Sequence, residues 1–298
     1  MHVFSSSARL PFVALVFFSG LAYAELSTEA RLGTGPERYR SYQLGASADL
    51  PMLPINLDVK RFVAYSQGTQ IADEKSAGLN WTPTDWLLAS AHHRDTQGDI
   101  LNTRGEDYAL SVNIAPLWKG SLGTHVDLGY GTLDYRAATG RPLVRRALNR
   151  RLPQLDRESV GIAQDLGETW GVSFNVERYR YDKDPVDVAR SILRRVRRPN
   201  NTVFELVSFP DRSAGLGLHW QPDERWSVDL SRQRTITVLD QKQESTRLDL
   251  NYRPIKRFEI GASATHSRST ALLRPNGATA VEASSGNYYE LGGRLFFD

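Results

Sequence analysis

The residues able to do chemistry lie in pairs that the chain keeps apart. His93 and Asp95 share one face of any extended segment, and Asp182 with Asp184 forms a second acidic pair far away in sequence. Activating a water needs a base, an orienting group and a substrate position in one constellation, and nothing in the spacing joins these two pairs. His266 and Ser267 are adjacent, so a strand would turn them to opposite faces. The chain has no cysteine, which removes thiolate nucleophiles, disulfides and Cys-type zinc sites. His125 and His219 stand singly and read as polar side chains rather than metal ligands. No catalytic, metal or cofactor-binding set is assigned, and no cofactor is expected.

Charge is concentrated instead in two arginine-rich stretches. The first holds Arg141, Arg145, Arg146, Arg150, Arg151 and Arg157, and the second Arg190, Arg194, Arg195, Arg197 and Arg198. The second predicts a helix. Asp184 can cap it, Pro185 suits its first position and Pro199 stops it. Ala189, Ile192, Leu193 and Val196 fall at helical spacing on one apolar stripe, with most arginines off it. Leu143, Ala147 and Leu148 give the first stretch a weaker version of the same pattern. Guanidinium groups bind phosphates and carboxylates through bidentate, charge-assisted bonds. Arg145, Arg146, Arg150, Arg151, Arg190, Arg194, Arg195, Arg197 and Arg198 are therefore candidate anion contacts. Over the whole chain 37 basic residues stand against 34 acidic ones, a formal charge of +3 that names no partner.

The elements that must carry these stretches alternate at period two. Residues 107–114 (DYALSVNI) put Tyr108, Leu110, Val112 and Ile114 on one face and Asp107, Ala109, Ser111 and Asn113 on the other. Residues 122–130, 170–176, 214–220, 226–230, 246–252 and 258–264 repeat the pattern, and fainter copies occupy 26–32, 42–50, 57–63, 77–81, 86–92 and 160–166. The polar faces together carry Glu29, Arg31, Asp49, Asp107, His125, Asp127, Asp165, Glu177, Asp229, Arg247, Asp249, Asn251, Arg253, Glu259, Glu290 and Arg294, separated by Gly and Ser.

Two kinds of connection join the segments. One is short and recurs as aromatic, one residue, proline, polar stretch, aromatic: Trp81 to Trp86 around Pro83, Trp220 to Trp226 around Pro222, and Tyr252 to Phe258 around Pro254. Proline presets a turn, and the flanking rings suit a membrane interface. Further short turns are expected near residues 51–54, 116–120 and 167–169. The other kind is expected to be long and polar, centred near Gly35, Gly68, Gly98, Arg145, Arg195, Gln241 and Asn276. Short turns at one end and long loops at the other is the asymmetry of outer-membrane barrels, and the walk gives seven hairpins, hence about 14 strands, within a range of 12–16. A soluble β-sandwich or propeller would also alternate, but it would not need interfacial aromatics around its turns.

Both ends of the chain fit. Arg9, the apolar run 10–18 (LPFVALVFF) and Ala22-Tyr23-Ala24 read as a secretory signal peptide over residues 1–24, leaving a barrel over 25–298. After Ala24 no apolar run reaches the ~20 residues a spanning helix needs. The mean hydropathy of −0.42 is compatible with a barrel, since half of each strand faces water. The final segment carries Tyr289, Leu291, Leu295 and Phe297 on one face, followed by Asp298. Such a strand, ending in aromatics, resembles the C-terminal strand of Gram-negative outer-membrane β-barrels of the porin-like class. That class usually ends in Phe itself, so Asp298 is a departure.

The resemblance implies an all-β, antiparallel, up-and-down transmembrane barrel in the cell outer membrane. It implies handling by the barrel-assembly machinery during biogenesis and contact with outer-membrane lipid and lipopolysaccharide; nucleic acid is not an expected partner there. The expected function is a channel passing hydrophilic solutes, anions among them if the arginine loops reach the path. Asp107, His125, Asp127, Glu177, Asp229, Arg247, Asp249, Arg253, Glu259, Glu290 and Arg294 are then its candidate pore-lining residues. The alternative is a barrel component of an exopolysaccharide export or surface-polymer system. Outer-membrane lipases resemble one another in a lipid-facing His-x-Ser site, and outer-membrane proteases in acid–histidine clusters. This chain shows only fragments of either, and an enzyme is not expected.

Overall fold

The computed structural model describes residues 25–50, 53–98, 101–115, 123–138, 145–146, 149–195, 208–273 and 279–297. Its strands are β1 (Glu25–Gly35), β2 (Tyr39–Leu50), β3 (Ile55–Ser66), β4 (Thr69–Thr84), β5 (Leu87–Gly98), β6 (Leu101–Asn113), β7 (Thr124–Ala137), β8 (Gln154–Leu166), β9 (Trp170–Tyr181), β10 (Pro210–Asp223), β11 (Trp226–Thr237), β12 (Lys242–Ile255), β13 (Phe258–Ser269), β14 (Leu272–Leu273), β15 (Thr279–Val281) and β16 (Ser284–Phe297). One helix, α1 (Pro185–Arg195), precedes β10. Fourteen strands close a ring in the order β1-β16-β13-β12-β11-β10-β9-β8-β7-β6-β5-β4-β3-β2, and β14 with β15 forms a separate two-stranded sheet. Every neighbouring pair in the ring is antiparallel, including the closing pair, where Leu26 meets Phe297 and Leu32 meets Leu291. Closure satisfies the backbone groups that an open edge would leave bare in lipid.

The ring register sorts the side chains into two continuous faces. Outward stand apolar residues that a folded protein in water would bury: Leu44 is 64% exposed, Leu216 61% and Leu291 63%. Directly opposed outward pairs include Leu110 with Leu128, Val160 with Val176, and Leu230 with Leu248. An apolar belt of this extent requires an apolar solvent. Aromatic rings mark its lower edge, near the short turns. Trp170 packs beside Trp220 at 5.7 Å between centroids, and Trp226 stacks on Tyr252 at 4.3 Å.

The three proline-containing connections share one geometry that the sequence pattern did not specify. Each closes with a two-residue turn, pairing Thr84 with Leu87, Asp223 with Trp226 and Ile255 with Phe258. The proline lies before the turn, inside a register shift that begins at Trp81, Trp220 or Tyr252. A proline cannot donate to a ladder, so a bulge is where a strand tolerates it.

At the opposite end the expectation of uniformly long loops is corrected. The connections near Gly35, Gly68 and Gln241 are tight: residues 36–38, 67–68 and 238–241. Residues 99–100, between β5 and β6 near Gly98, lie outside the described residues. Gln67 and Gly68 both have positive φ, 51° and 85°, as the commonest two-residue hairpin turns require. Strands of 12 residues extend about 40 Å at ~3.4 Å per residue. They therefore continue past the hydrocarbon, where their outward faces turn polar and the hydropathy alternation disappears while the directional alternation persists. Arg61, Asp73, Lys75, Asp95 and Arg104 occupy such outward positions. The long connections are those after β7, β9 and β13.

Strand tips and these long connections together supply the apolar core. Leu101, Ala137, Leu152, Ala189, Phe209 and Leu272 form one buried cluster, with Tyr135, Tyr181, Val188, Val238, Leu239 and Val281 against it. Leu101, Tyr135, Ala137 and Tyr181 belong to the inward face by register, so the cluster sits inside the outer mouth. Phe209 is its centre, edge-on to Tyr135 at 5.6 Å and to Tyr181 at 5.8 Å. The cluster runs from the tip of β6 to the segment after β13, and those two strands stand on opposite sides of the 14-strand ring. Helix α1 is part of this cluster through Val188 and the fully buried Ala189, and its start is capped as its sequence predicts, Asp184 accepting the Val186 N–H at 2.8 Å.

Candidate functional site

The inward face below the mouth is a polar wall tied together by ion pairs between strands. Asp107 on β6 accepts from Arg94 on β5 at 2.9 Å and from Arg157 on β8 at 2.8 Å. Arg157 also reaches Glu177 on β9 at 3.6 Å, and the Tyr179 hydroxyl donates to the same carboxylate. On the far wall, Arg247 donates to Asp249 at 2.8 Å and to Glu290 on β16 at 3.1 Å, and the Ser263 hydroxyl donates to Glu290 at 3.0 Å. Arg294 crosses the closing seam, donating to Ser27 at 2.8 Å and Ser47 at 2.9 Å. Near the lower opening, Arg253 approaches Glu259 at 3.8 Å and lies 4.1 Å over the Phe296 ring. Its buried Nε makes no hydrogen bond among the described residues.

All eleven expected pore-lining positions fall on this inward face. His125 stands opposite Asn113, Asp127 opposite Ser111, and Asp229 opposite Asp249. That last pair sets like charges against each other, which costs stability in a sheet. The cost is offset by His219, 2.6 Å from Asp229, and by Arg247 on Asp249.

The largest departure from the sequence expectation is Arg157. Its spacing places it with the arginine-rich loop, but it lies inside β8 and joins Asp107 to Glu177. The alternation Arg157, Ser159, Gly161 against Val160 and Ile162 carries the signal, and it is visible only when the strand is started at residue 154 rather than 160. Arg94, Lys60, Glu74 and the Ser27–Ser47 pair are further inward groups that sequence reasoning passed over.

Charge on the inward face is unequal. Carboxylates stand at Glu29, Asp49, Asp58, Glu74, Asp107, Asp127, Asp165, Glu177, Asp229, Asp249, Glu259 and Glu290; cations stand at Arg31, Lys60, Arg94, Arg157, Arg247, Arg253 and Arg294. Acids exceed bases, and Asp127 and Asp165 have no ion pair among the described residues.

The candidate anion contacts lie elsewhere. Arg145, Arg146, Arg150 and Arg151 are exposed in the connection after β7, and Arg190 is exposed on α1. Arg194 and Arg195 fall in the last turn of α1. Arg197 and Arg198, with Arg141, Leu143, Ala147, Leu148, Val196 and Pro199, lie outside the described residues, as do residues 1–24 and Asp298.

The fragments that could suggest an enzyme stay apart. His93 and Asp95 face outward, with His93 3.9 Å from Glu106. His266 faces outward against Asn287 at 2.7 Å, and Ser267 faces inward. Asp182 accepts the Gln154 N–H at 2.6 Å, and Asp184 caps α1, so both carboxylates serve backbone geometry.

No family model matches the chain, and no curated protein matches it. Solved structures do. The CymD monoaromatic hydrocarbon channel superposes with a TM-score of 0.53 at 9% identity, covering 92% of this chain and 88% of its own. The outer membrane protein Omp33 of Acinetobacter baumannii gives 0.48 at 10% identity, covering 93% of this chain and 100% of its own. The KdgM porin gives 0.44 at 7% identity, covering 91% and 99%. The likeness is one of fold. This chain is a closed, 14-strand, porin-like β-barrel of the outer membrane.

Proposed function

We propose that this barrel is an outer-membrane channel for hydrophilic solutes, with cations and neutral polar molecules favoured over anions. The observation that carries the reading is the inward face itself: a ring of fourteen strands is too wide for side chains to fill, and its wall is lined with paired and unpaired charges between Gly and Ser. CymD, a channel on the same fold, supports the architecture as one compatible with passage. The direction of selectivity follows from the excess of carboxylates, since fixed charge on a low-dielectric wall raises the local concentration of counter-ions.

The arginine-rich connections, which first suggested anions, are exposed at the mouth where they are described, so the strand wall is the better guide to selectivity. The described apolar cluster covers the β6–β13 side of the mouth. The described hairpins joining β1 to β2 and β3 to β4 are two or three residues long, and on this reading solutes enter on the side they border.

The full chain in planar bilayers tests this. Across a KCl gradient it gives an ohmic conductance whose reversal potential has the sign of cation preference. Asp127→Asn with Asp165→Asn moves that potential toward zero. Chloride preference in the unmodified protein, or no conductance at all, refutes the reading.

A further inference from the structure

The outward faces carry a charge pattern that permeation does not use. At the long-loop ends of β9 to β13, just beyond the apolar belt, six arginines face out: Arg178, Arg180, Arg212, Arg232, Arg234 and Arg268; Arg180 is paired with Glu158 on β8 at 3.0 Å, which leaves five to account for. The register fixes their direction. Arg232 is opposite Leu216, Arg234 is opposite Ala214, Arg212 is opposite Arg178, and Arg268 is opposite Glu244. Leu216 is 61% exposed and belongs to the lipid-facing belt, so the guanidinium groups emerge at its upper edge.

Their partners are too few. Glu244 holds three of them, with Arg268 at 2.5 Å, Arg232 at 2.9 Å and Arg234 at 3.8 Å. One carboxylate neutralises one cation, so this group keeps two positive charges and several unused N–H donors. The arginines are half or more exposed, and an ion pair so exposed contributes ~0–1 kcal/mol. Glu244 therefore gathers the guanidinium groups without satisfying them. Arg178 and Arg212 form a directly opposed like-charge pair, and Glu158, opposite Arg178 on its other side, is taken up by Arg180 at 3.0 Å, so the pair is unfavourable unless an anion lies against it. Arg212 has Asp211 only at 3.9 Å, and Arg178 has no ion pair among the described residues.

The opposite wall shows that this is local. On β3 to β6 the outward cations Arg61, Lys75 and Arg104 are matched by Asp73, Asp95 and Glu106, and Arg61 makes a two-bond pair with Asp73 at 2.9 and 3.1 Å.

We infer that the β9–β13 wall is a binding site for the phosphate groups of the outer leaflet's phosphorylated lipid, the lipid A of lipopolysaccharide. Three features select that occupant. The cations form a planar, fork-bearing cluster suited to phosphate oxygens. They lie at the end of the barrel that bears the long loops, which is the external one. The surface below them is apolar and continuous, with Leu216, Leu230 and Leu248 placed to take the acyl chains. The site is independent of whether the barrel conducts.

The test uses the full chain in non-ionic detergent, titrated with bisphosphorylated lipid A and read by native mass spectrometry. Heat-modifiable migration on gels confirms folding of each variant. The combined variant Arg212→Gln, Arg232→Gln, Arg268→Gln is expected to bind about tenfold more weakly or worse, having lost three charge-assisted contacts. Arg61→Gln with Lys75→Gln binds normally, and dephosphorylated lipid A binds weakly to every form. If the triple variant does not fold, Arg212→Gln alone, whose only ion pair is with Asp211, is expected to weaken binding measurably. Unchanged affinity in the triple or single variant, equal loss in the Arg61/Lys75 control, or displacement of lipid A by an equal amount of phosphatidylglycerol overturns the inference.

Discussion

Leu248→Arg lowers the stability of the folded barrel by about 2–4 kcal/mol, the range for a cation on the lipid face near the bilayer midplane. Asp249→Asn, one residue along, changes it by less than ~1 kcal/mol. The contrast follows from the register of β12. Leu248 lies midway along the strand, facing out, opposite Leu230 and Ala264. A charge there must be stripped of water or drag water into hydrocarbon. Asp249 faces in, opposite Asp229 and Ser263, where an amide still accepts from Arg247 and the lost charge relieves the Asp229 pairing. Urea titration in liposomes, followed by the six tryptophans, measures both. Equal effects at the two positions would mean that the faces are not divided as described.

Phe209→Ala raises single-channel conductance and leaves the barrel wall intact. The ring is almost fully buried between Tyr135 and Tyr181, and removing such a side chain costs about 3–5 kcal/mol of local packing. The strand ladders do not depend on that ring, so the loss falls on the mouth: α1, Leu152 and the segment after β13 lose their shared centre. Ala189→Asp acts more strongly in the same direction, since it places a charge where no solvent reaches. The expected readouts are larger and noisier unitary currents and faster proteolysis near α1, with unchanged heat-modifiable migration of the barrel on gels. Currents identical to those of the unmodified protein would place the cluster off the path.

Legibility in the sequence followed hydropathy contrast. In the middle of each strand, where lipid lies on one side and water on the other, alternation is strong, and residues such as Leu110, Leu128 and Val176 disclosed their direction. Beyond the membrane both faces are polar, so the outer halves of β3, β4 and β5 read as loops although the backbone continues as strand. Arg157, in the outer half of β8, reads as loop for the same reason.

The mouth cluster was illegible for another. Leu101, Leu152, Phe209 and Leu272 lie far apart in sequence in segments with no helical or strand periodicity that aims them at one another, and only closure of the ring brings them together. Helix α1 was legible because its signals are local: a cap, a first-turn proline and an apolar stripe. The direction of the outward arginines depends on the strand register. Arg212, Arg232 and Arg268 are unremarkable in a list of charges, and a one-residue slip would turn each of them inward.

The division of every strand into a lipid face and a water face is tested most directly by a single-cysteine scan of β12. The chain has no cysteine of its own, so each substitution from Thr246 to Asn251 reports alone. In liposomes, labels at positions 248 and 250 are quenched by lipid-borne nitroxides and resist charged thiol reagents. Cysteines at 247, 249 and 251 react with those reagents and escape the lipid quencher. Uniform reactivity along the strand, or alternation in the opposite phase, would contradict the account.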